Sequence, residues 1–148
     1  MDKNISSKEL NAVLKGEQMA VEAYESFIKN MEDPYVKKEF ELIQQDHKMH
    51  ADILSKKIQS LGATPESSTG FSGLMATTMI TLQTKISKNN TEKILKRAYD
   101  GEDKGIGKVE EIIKGDLDED SRILMSQILS TDHHHLKTMA DLISKYEQ

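Results

Sequence analysis

The residues with the clearest chemical potential are pairs of metal-ligand side chains three positions apart. His47 and His50 form one pair, and Asp132 and His135 form the other. Side chains at positions i and i+3 of a helix point in nearly the same direction, so each pair could bind one ion. The spacing predicts two metal-binding pairs, each on its own helix.

Each pair is preceded by a glutamate on an otherwise apolar stripe, and this arrangement occurs twice along the chain. Glu17 and Glu102 are 85 positions apart, and His50 and His135 have the same separation. A shared offset that includes polar residues indicates one helical hairpin present twice. The apolar positions that follow the same offset are Val21 with Ile106, Phe27 with Ile112, Ile28 with Ile113 and Ile43 with Ile128.

Apolar residues recur at steps of three and four in four segments, which is the pattern of amphipathic helices. The first segment spans about 7–31 and opens with a capping box from Ser6 to Glu9. The second follows Asp33-Pro34, which is typical of an N-cap and a first helical residue, so the first hairpin is 7–61. The second hairpin is 91–146. No segment alternates as a strand does, and we predict an all-α fold.

An antiparallel hairpin brings residues at equal distances from its turn to the same height. The turns lie near residues 33 and 117, and six inward-facing polar residues lie fourteen to eighteen positions from them. The predicted metal ligands are Glu17, His47, His50, Glu102, Asp132 and His135. The alternative is a metal-free layer of hydrogen-bonded side chains, although burying six such groups without partners costs several kcal/mol each.

The segment between the hairpins, 62–90, is far longer than the ~2–8 residues usual between antiparallel neighbours in a bundle. Its stretch 71–87 is moderately apolar, and we predict a connecting helix there. A crossover of this length predicts two hairpins related by a pseudo-two-fold axis within one domain, 1–148. We expect part of the stretch to form a homodimer contact. The apolar residues available for it are Phe71, Leu74, Met75, Met79, Ile80 and Leu82.

Over nearly the whole chain, these features resemble the ferritin-like superfamily, which includes ferritin, bacterioferritin and rubrerythrin. The resemblance rests on Glu17 and Glu102, on His50 and His135, and on a Gly-Glu-Asp sequence at 101–103 that is similar to small uncharacterised bacterial families. It implies a four-helix bundle with a dinuclear iron or manganese site. It also implies an oxidase, ferroxidase or peroxidase role in metal or oxidative stress.

The sequence departs from the superfamily pattern at two positions. His47 and Asp132 stand where the resemblance implies glutamates that bridge two metal ions. The donor set thus holds three carboxylates and three imidazoles, and added nitrogen favours zinc, copper or nickel over ions that prefer oxygen. Iron or zinc is the expected divalent ion, with manganese also compatible. Two hypotheses follow: a metal-dependent oxidoreductase, or a non-catalytic structural or partner-binding bundle with a structural zinc or a vestigial site.

Several other polar residues have two interpretations each. Tyr24 lies on the inward stripe and is either core packing or a hydrogen-bond partner of the site. Asp46 and Asp103 are predicted as surface charges, or as carboxylates that orient a metal ligand. His133 and His134 are expected to face solvent or the flank of the bundle, with a role as a metal ligand as the alternative.

Composition limits the classes of partner. The chain of 148 residues has a net charge of −5, with 36% hydrophobic and 30% charged residues, which suits one soluble domain and does not favour nucleic acid. The absence of cysteine excludes disulfides, thiolate zinc sites, iron–sulfur clusters and thiol nucleophiles. No stretch has the ~18 apolar residues of a membrane span. The N-terminus lacks an apolar run, so we expect a cytoplasmic protein.

Overall fold

The computed structural model describes residues 3–66 and 90–147, and all regular structure within these ranges is helical. The chain forms α1 (Lys3–Asn30), α2 (Pro34–Ser60), α3 (Thr91–Ile113) and α4 (Glu119–Tyr146). The all-α prediction is therefore confirmed. None of these described helices is long and apolar enough to cross a membrane.

The start of α2 agrees with the sequence pattern, whereas the start of α1 does not. The Asp33 carboxylate accepts hydrogen bonds from the backbone amides of Tyr35 and Val36, so it is the expected N-cap. In contrast, α1 is already helical at Lys3, four residues before the predicted start. The prediction of a capping box at Ser6 is therefore wrong. The Ser6 hydroxyl is buried and instead accepts a hydrogen bond from the backbone amide of Asp118, 3.0 Å away.

Neighbouring helices are antiparallel. The Ser6–Asp118 contact brings the start of α1 to the turn that follows α3. Lys57 Nζ, near the end of α2, lies 3.6 Å from the Asp118 carboxylate at the start of α4. At the opposite end of the bundle, Lys96 of α3 lies 3.3 Å from Glu147, which follows α4. Thus α1 packs on α2 and α3, and α4 packs on α3 and α2.

Two hydrophobic clusters occupy the two ends of the bundle. The cluster near the α1–α2 turn includes Phe27, Phe40 and Leu95. The cluster at the other end includes Leu54 and Met125. The six predicted ligands lie at the level between these clusters, with apolar packing above and below them.

The first residues after α2 run back along α1. Gly62 adopts φ +82°, a conformation that glycine takes without steric strain. The side-chain amide of Asn11 donates to the carbonyl of Thr64 (3.1 Å) and accepts from the amide of Glu66 (2.8 Å). The Gln18 side chain donates to the carbonyl of Glu66 (3.1 Å). The crossover of 62–90 therefore begins against α1.

Two predictions about this crossover lie outside the described residues. These are the connecting helix at 71–87 and the homodimer contact through its apolar residues. The extent of the domain, 1–148, likewise stays a prediction.

Asp118 caps α4 and also joins it to α1 and α2. Its carboxylate accepts from the amide and the hydroxyl of Ser121, at 3.2 and 2.5 Å. Burial opposes ionisation, but the hydrogen bonds from Ser121 and Ser6 and the charge of Lys57 lower the pKa of Asp118 to about 2.

Replacing Asp118 by Ala is expected to lower the free energy of unfolding by about 1 kcal/mol at neutral pH, since a cap and its ion pair are lost. The pKa of this carboxyl is depressed, so its contribution is fully present above the unfolded pKa of about 3.9. It is lost as the pH falls towards 2. Urea unfolding at pH 7 and pH 3 measures the difference. The exposed Asp116→Ala is the matched control, and an equal loss in both variants would contradict the capping role.

Candidate metal centre

All four helices contribute to one buried polar layer. The six predicted ligands are between 2% and 6% exposed. They form two overlapping groups whose potential ligand atoms lie within 4.8 Å of one another. One group consists of Glu17, His47, His50 and Asp132, and the other of His47, Glu102, Asp132 and His135. The structure thus brings together all six residues that the sequence pattern singled out.

His47 occupies the centre of the layer. Its Nδ1 lies 2.6 Å from Glu17 Oε2, and its Nε2 lies 2.5 Å from Glu102 Oε1. Burial disfavours the charged imidazolium, but hydrogen bonds to the two carboxylates outweigh it and raise the pKa of His47 well above its ordinary value. In the metal-free protein His47 is therefore a cation that donates one hydrogen bond to α1 and one to α3.

The two glutamates are ionised in this arrangement. Burial would raise the pKa of each carboxyl, yet both values are lowered by the neighbouring imidazoles. For Glu17 these are His47 and His50. For Glu102 they are His135 and His47, and the pKa falls to about 2. Two buried anions thus flank one buried cation.

Asp132 is the exception among the carboxylates. Burial, followed by the charges of Glu17 and Glu102, raises the pKa of Asp132 to about 7. Its Oδ1 has no hydrogen-bond partner among the described residues. A cation bound nearby would lower the pKa of Asp132 and favour its ionised form, because it would offset the repulsion from the two glutamates.

The other two histidines each present an unpartnered nitrogen to a glutamate. His50 Nδ1 lies 3.5 Å from Glu17 Oε1, and His135 Nδ1 lies 3.5 Å from Glu102 Oε1. Neither nitrogen has a hydrogen-bond partner in the described part of the chain. Two ligands on one tetrahedral ion at ~2.0–2.1 Å are about 3.3 Å apart. The separations fit shared coordination better than hydrogen bonding, so the donor set fits divalent ions.

Asp46 holds His135 in this orientation. Its Oδ2 accepts from His135 Nε2 at 2.8 Å, which leaves Nδ1 to face the site. A carboxylate on the outer nitrogen is the usual way in which proteins orient a metal-binding histidine. Burial lowers the pKa of His135, but Glu102 and Asp46 together raise it above the ordinary value. Of the two interpretations of Asp46, the orienting carboxylate is the one that the contact supports.

Tyr24 distinguishes the two halves further. Its hydroxyl donates to Glu102 Oε1 at 2.8 Å, and its ring stacks on His47 with a centroid distance of 5.6 Å. Burial and the Glu102 charge raise the pKa of Tyr24 well above its ordinary value, so the phenol stays a neutral donor. The repeat places Val109 at the matching position of α3. Glu17 thus has no such counterpart in the repeat.

The remaining polar candidates lie away from the centre. His133 and His134 are exposed on the outer side of α4, as expected from the sequence. Asp103 is exposed as well, so of its two interpretations the surface charge is supported. A groove of about 400 Å³ between α1 and α3 leads from the surface to Glu17 and Glu102, which gives small ions and molecules a route to the layer.

Comparison with known families places the chain. Residues 6–115 match a family model described as a domain of unknown function, DUF2383. The chain belongs to the DUF2383 family. No curated protein sequence matches it.

Solved structures show how this DUF2383 protein is folded. A two-domain protein of Anabaena variabilis, with DJ-1/ThiJ/PfpI-like and ferritin-like domains, is 18% identical with a TM-score of 0.81; the match covers 99% of this chain and 41% of that one. A bacterioferritin-related protein of Bacteroides fragilis, described as a dodecameric thioferritin, is 19% identical with a TM-score of 0.78, covering 99% and 89%. Desulfovibrio desulfuricans bacterioferritin, described with a diiron site, is 17% identical with a TM-score of 0.70, covering 99% and 85%. The predicted ferritin-like four-helix bundle is confirmed.

In the metal-free DUF2383 protein, His47→Gln is expected to cost about 3–5 kcal/mol, since it leaves two buried carboxylates without their cation. The loss should shrink as the pH falls from 6.5 towards 4.5, because the variant can then protonate Glu17 and Glu102. Chemical denaturation in the presence of a chelator measures both effects. The exposed His133→Gln is the control, with an expected change below about 0.5 kcal/mol. Equal stability of both variants would contradict the ion-pair bridge.

Asp132→Asn is expected to stabilise the metal-free protein. The folded-state pKa of about 7 lies above the unfolded value, so ionising Asp132 costs stability as the pH rises from about 4 to 7. The variant avoids this cost and should be more stable at pH 8 by roughly 2–4 kcal/mol, with no advantage below pH 4. Thermal and urea unfolding across this range test the effect, with Asp103→Asn as the exposed control. A variant less stable than the parent at pH 8 would contradict the assignment.

Proposed function

We propose that this protein binds two divalent metal ions in the polar layer and that, with iron bound, it catalyses the oxidation of ferrous ion by dioxygen, which accepts the electrons. The observation that carries the proposal is that three buried atoms of this layer have no hydrogen-bond partner among the described residues: His50 Nδ1, Asp132 Oδ1 and His135 Nδ1. Each buried polar atom without a partner costs about 1–3 kcal/mol. Coordination by metal ions would satisfy all three atoms together.

The roles of the ligands follow from their contacts. Glu17 and His50 would hold one ion on the side of α1 and α2. Glu102 and His135 would hold the other on the side of α3 and α4. The repeat thus supplies one carboxylate and one imidazole per ion, while His47 and Asp132 belong to both groups.

Bound iron would supply one-electron chemistry, alternating between the ferrous and ferric states. The protein's own contribution is to position and shield. The two apolar clusters keep water from reaching the layer through the ends of the bundle, and Asp46 fixes the orientation of His135. Tyr24 donates a hydrogen bond to Glu102 and so limits how far this carboxylate can turn. The ferritin-like fold and the diiron site described for the bacterioferritin of Desulfovibrio desulfuricans support this proposal.

Iron and zinc are the two favoured ions, and manganese is a third candidate. Three imidazoles among six donors favour ions that accept nitrogen. An oxidase or peroxidase role in metal or oxidative stress requires iron or manganese, whereas zinc would make the site structural. Homo-oligomerisation belongs to the same proposal, since the Bacteroides fragilis protein is described as dodecameric.

The competing function is a non-catalytic bundle that serves structure or binds a partner. The hydrogen bonds from His47 to Glu17 and Glu102 favour this competing function. Both nitrogens of His47 already have carboxylate partners, at 2.5–2.6 Å. This imidazolium compensates the two glutamates without any metal. In that case the layer would be a polar network, or would hold one structural zinc.

The proposal is tested by combining His50→Ala with His135→Ala. The parent, purified without added metal, is expected to contain metal by elemental analysis and to accelerate aerobic oxidation of added Fe²⁺. The double variant should lose both properties, because each ion loses its own imidazole. His133→Ala combined with His134→Ala is the matched control, since both residues are exposed and lie on the same helix as His135.

The outcomes separate the two functions. Unchanged metal content in the His50/His135 double variant would contradict the proposed ligands. A parent that binds metal but leaves the rate of Fe²⁺ oxidation unchanged would support the non-catalytic bundle.

A further inference from the structure

The central residue of the layer contacts the two halves of the site through different atoms. His47 directs Nδ1 towards Glu17 and Nε2 towards Glu102. It is also a member of both four-residue groups. A carboxylate at this position would bridge two ions through its two oxygens, which are held on one carbon. The imidazole instead presents two nitrogens on opposite sides of a rigid ring.

We propose that His47 bridges the two metal ions as an imidazolate, with Nδ1 bound to the ion on the α1 side and Nε2 bound to the ion on the α3 side. This inference rests on the proposed metal binding and states how the two ions are connected. It makes the site an imidazolate-bridged pair of ions, different from a carboxylate-bridged one.

The geometry requires only small movements. Nδ1 and Nε2 are 2.6 and 2.5 Å from their glutamate oxygens, with the proton of one hydrogen bond between each pair. An ion that replaces this proton needs its ligands about 3.3 Å apart, so each pair opens by less than about 1 Å. His50 and His135 are already 3.5 Å from the same two glutamates. The third ligand of each ion is therefore close to its coordinating position.

The orientation of the ring is set by its neighbours. Tyr24 stacks on His47 with an interplanar angle of 24°. The centroid of the His135 ring lies 5.2 Å from that of His47, with an interplanar angle of 59°. The lone pairs of the two nitrogens of an imidazole diverge, so they cannot bind the same ion, and here Nδ1 faces Glu17 while Nε2 faces Glu102.

Charge balance favours the same arrangement. Three carboxylates and one imidazolate carry four negative charges, which two divalent ions neutralise. With a neutral imidazole the buried cluster would keep one positive charge, which is costly to bury. Formation of the imidazolate releases both ring protons of His47 to solvent as the two ions bind. An imidazolate thus replaces a glutamate charge for charge.

The spacing of the ions is what differs. An ion bound at ~2.0–2.1 Å on each side of the ring places the two ions about 6 Å apart. Carboxylate-bridged pairs are about 3.5–4 Å apart. The bridge also favours copper and zinc, which bind imidazole nitrogen well.

The experiment uses the metal-free full chain loaded with two equivalents of Cu²⁺. Elemental analysis gives the stoichiometry, X-ray absorption reports any second copper within 4 Å, and electron paramagnetic resonance reports magnetic coupling between the ions. The expected result is two copper ions per chain, a reduced resonance signal from coupling through the ring, and no copper within 4 Å. In His47→Glu, the second copper should become visible at about 3.5–4 Å.

Two further variants provide a comparison in case His47→Glu does not fold. His47→Gln retains a polar side chain but has no second nitrogen, so any copper it binds should give the full uncoupled signal. His134→Glu, on the exposed side of α4, should behave as the parent does.

Each outcome in the parent decides the inference without reference to the variants. Two ions within 4 Å would overturn the imidazolate bridge and leave the proposed metal binding standing. One ion per chain would also overturn the bridge, with metal binding retained in mononuclear form. No bound copper or zinc, measured in parallel with Zn²⁺, would overturn both.

Discussion

A charge buried in the middle of a helical bundle needs a partner of opposite charge nearby, and in this bundle one side chain supplies it. His47 compensates Glu17 and Glu102 at the same time, one from α1 and one from α3. Since His47 itself belongs to α2, its two contacts join three helices at one level. The hydrophobic clusters above and below this level stabilise the bundle, but they also remove the water that would otherwise solvate the charges. The ion pairs are therefore a condition for the packing of the helices.

The two hairpins share a pattern but do not provide equivalent halves of a site. His135 is oriented by Asp46, whereas the matching position in the other hairpin holds Thr131, whose hydroxyl donates to the carbonyl of Gln127 on its own helix. Of the two glutamates, Tyr24 donates to Glu102. These differences constrain the α3–α4 side more tightly than the α1–α2 side. Two ions bound here would thus have unequal affinities and unequal freedom to change their coordination.

The same residues that would bind metal make the metal-free layer electrostatically uneven. Asp132 is repelled by both glutamates, and within residues 3–66 and 90–147 the nitrogens of His50 and His135 that face the site lack hydrogen-bond partners. These groups make an unfavourable contribution to the free energy of folding, which a bound cation would remove. Metal binding would therefore be coupled to folding. His47 limits this cost, because its imidazolium lets the bundle form before any ion arrives. The bundle is therefore expected to stay folded whether or not an ion is bound.

Much of the fold and of the candidate site follows from local rules that a single sequence reveals. The 3.6-residue period identifies the helices, Asp33 and Pro34 mark a helix start, and the distance of each polar residue from its turn predicts one common level for all six. Contacts between distant segments decided the rest. The start of α1 differs from the expected one because Ser6 serves a turn 112 positions away in sequence. The links of Asp46 to His135 and of Tyr24 to Glu102, and the direction of each nitrogen of His47, depend on helix rotation and side-chain rotamers. These are set only when the four helices pack together, since residue spacing determines which face a side chain occupies but not which atom it meets there.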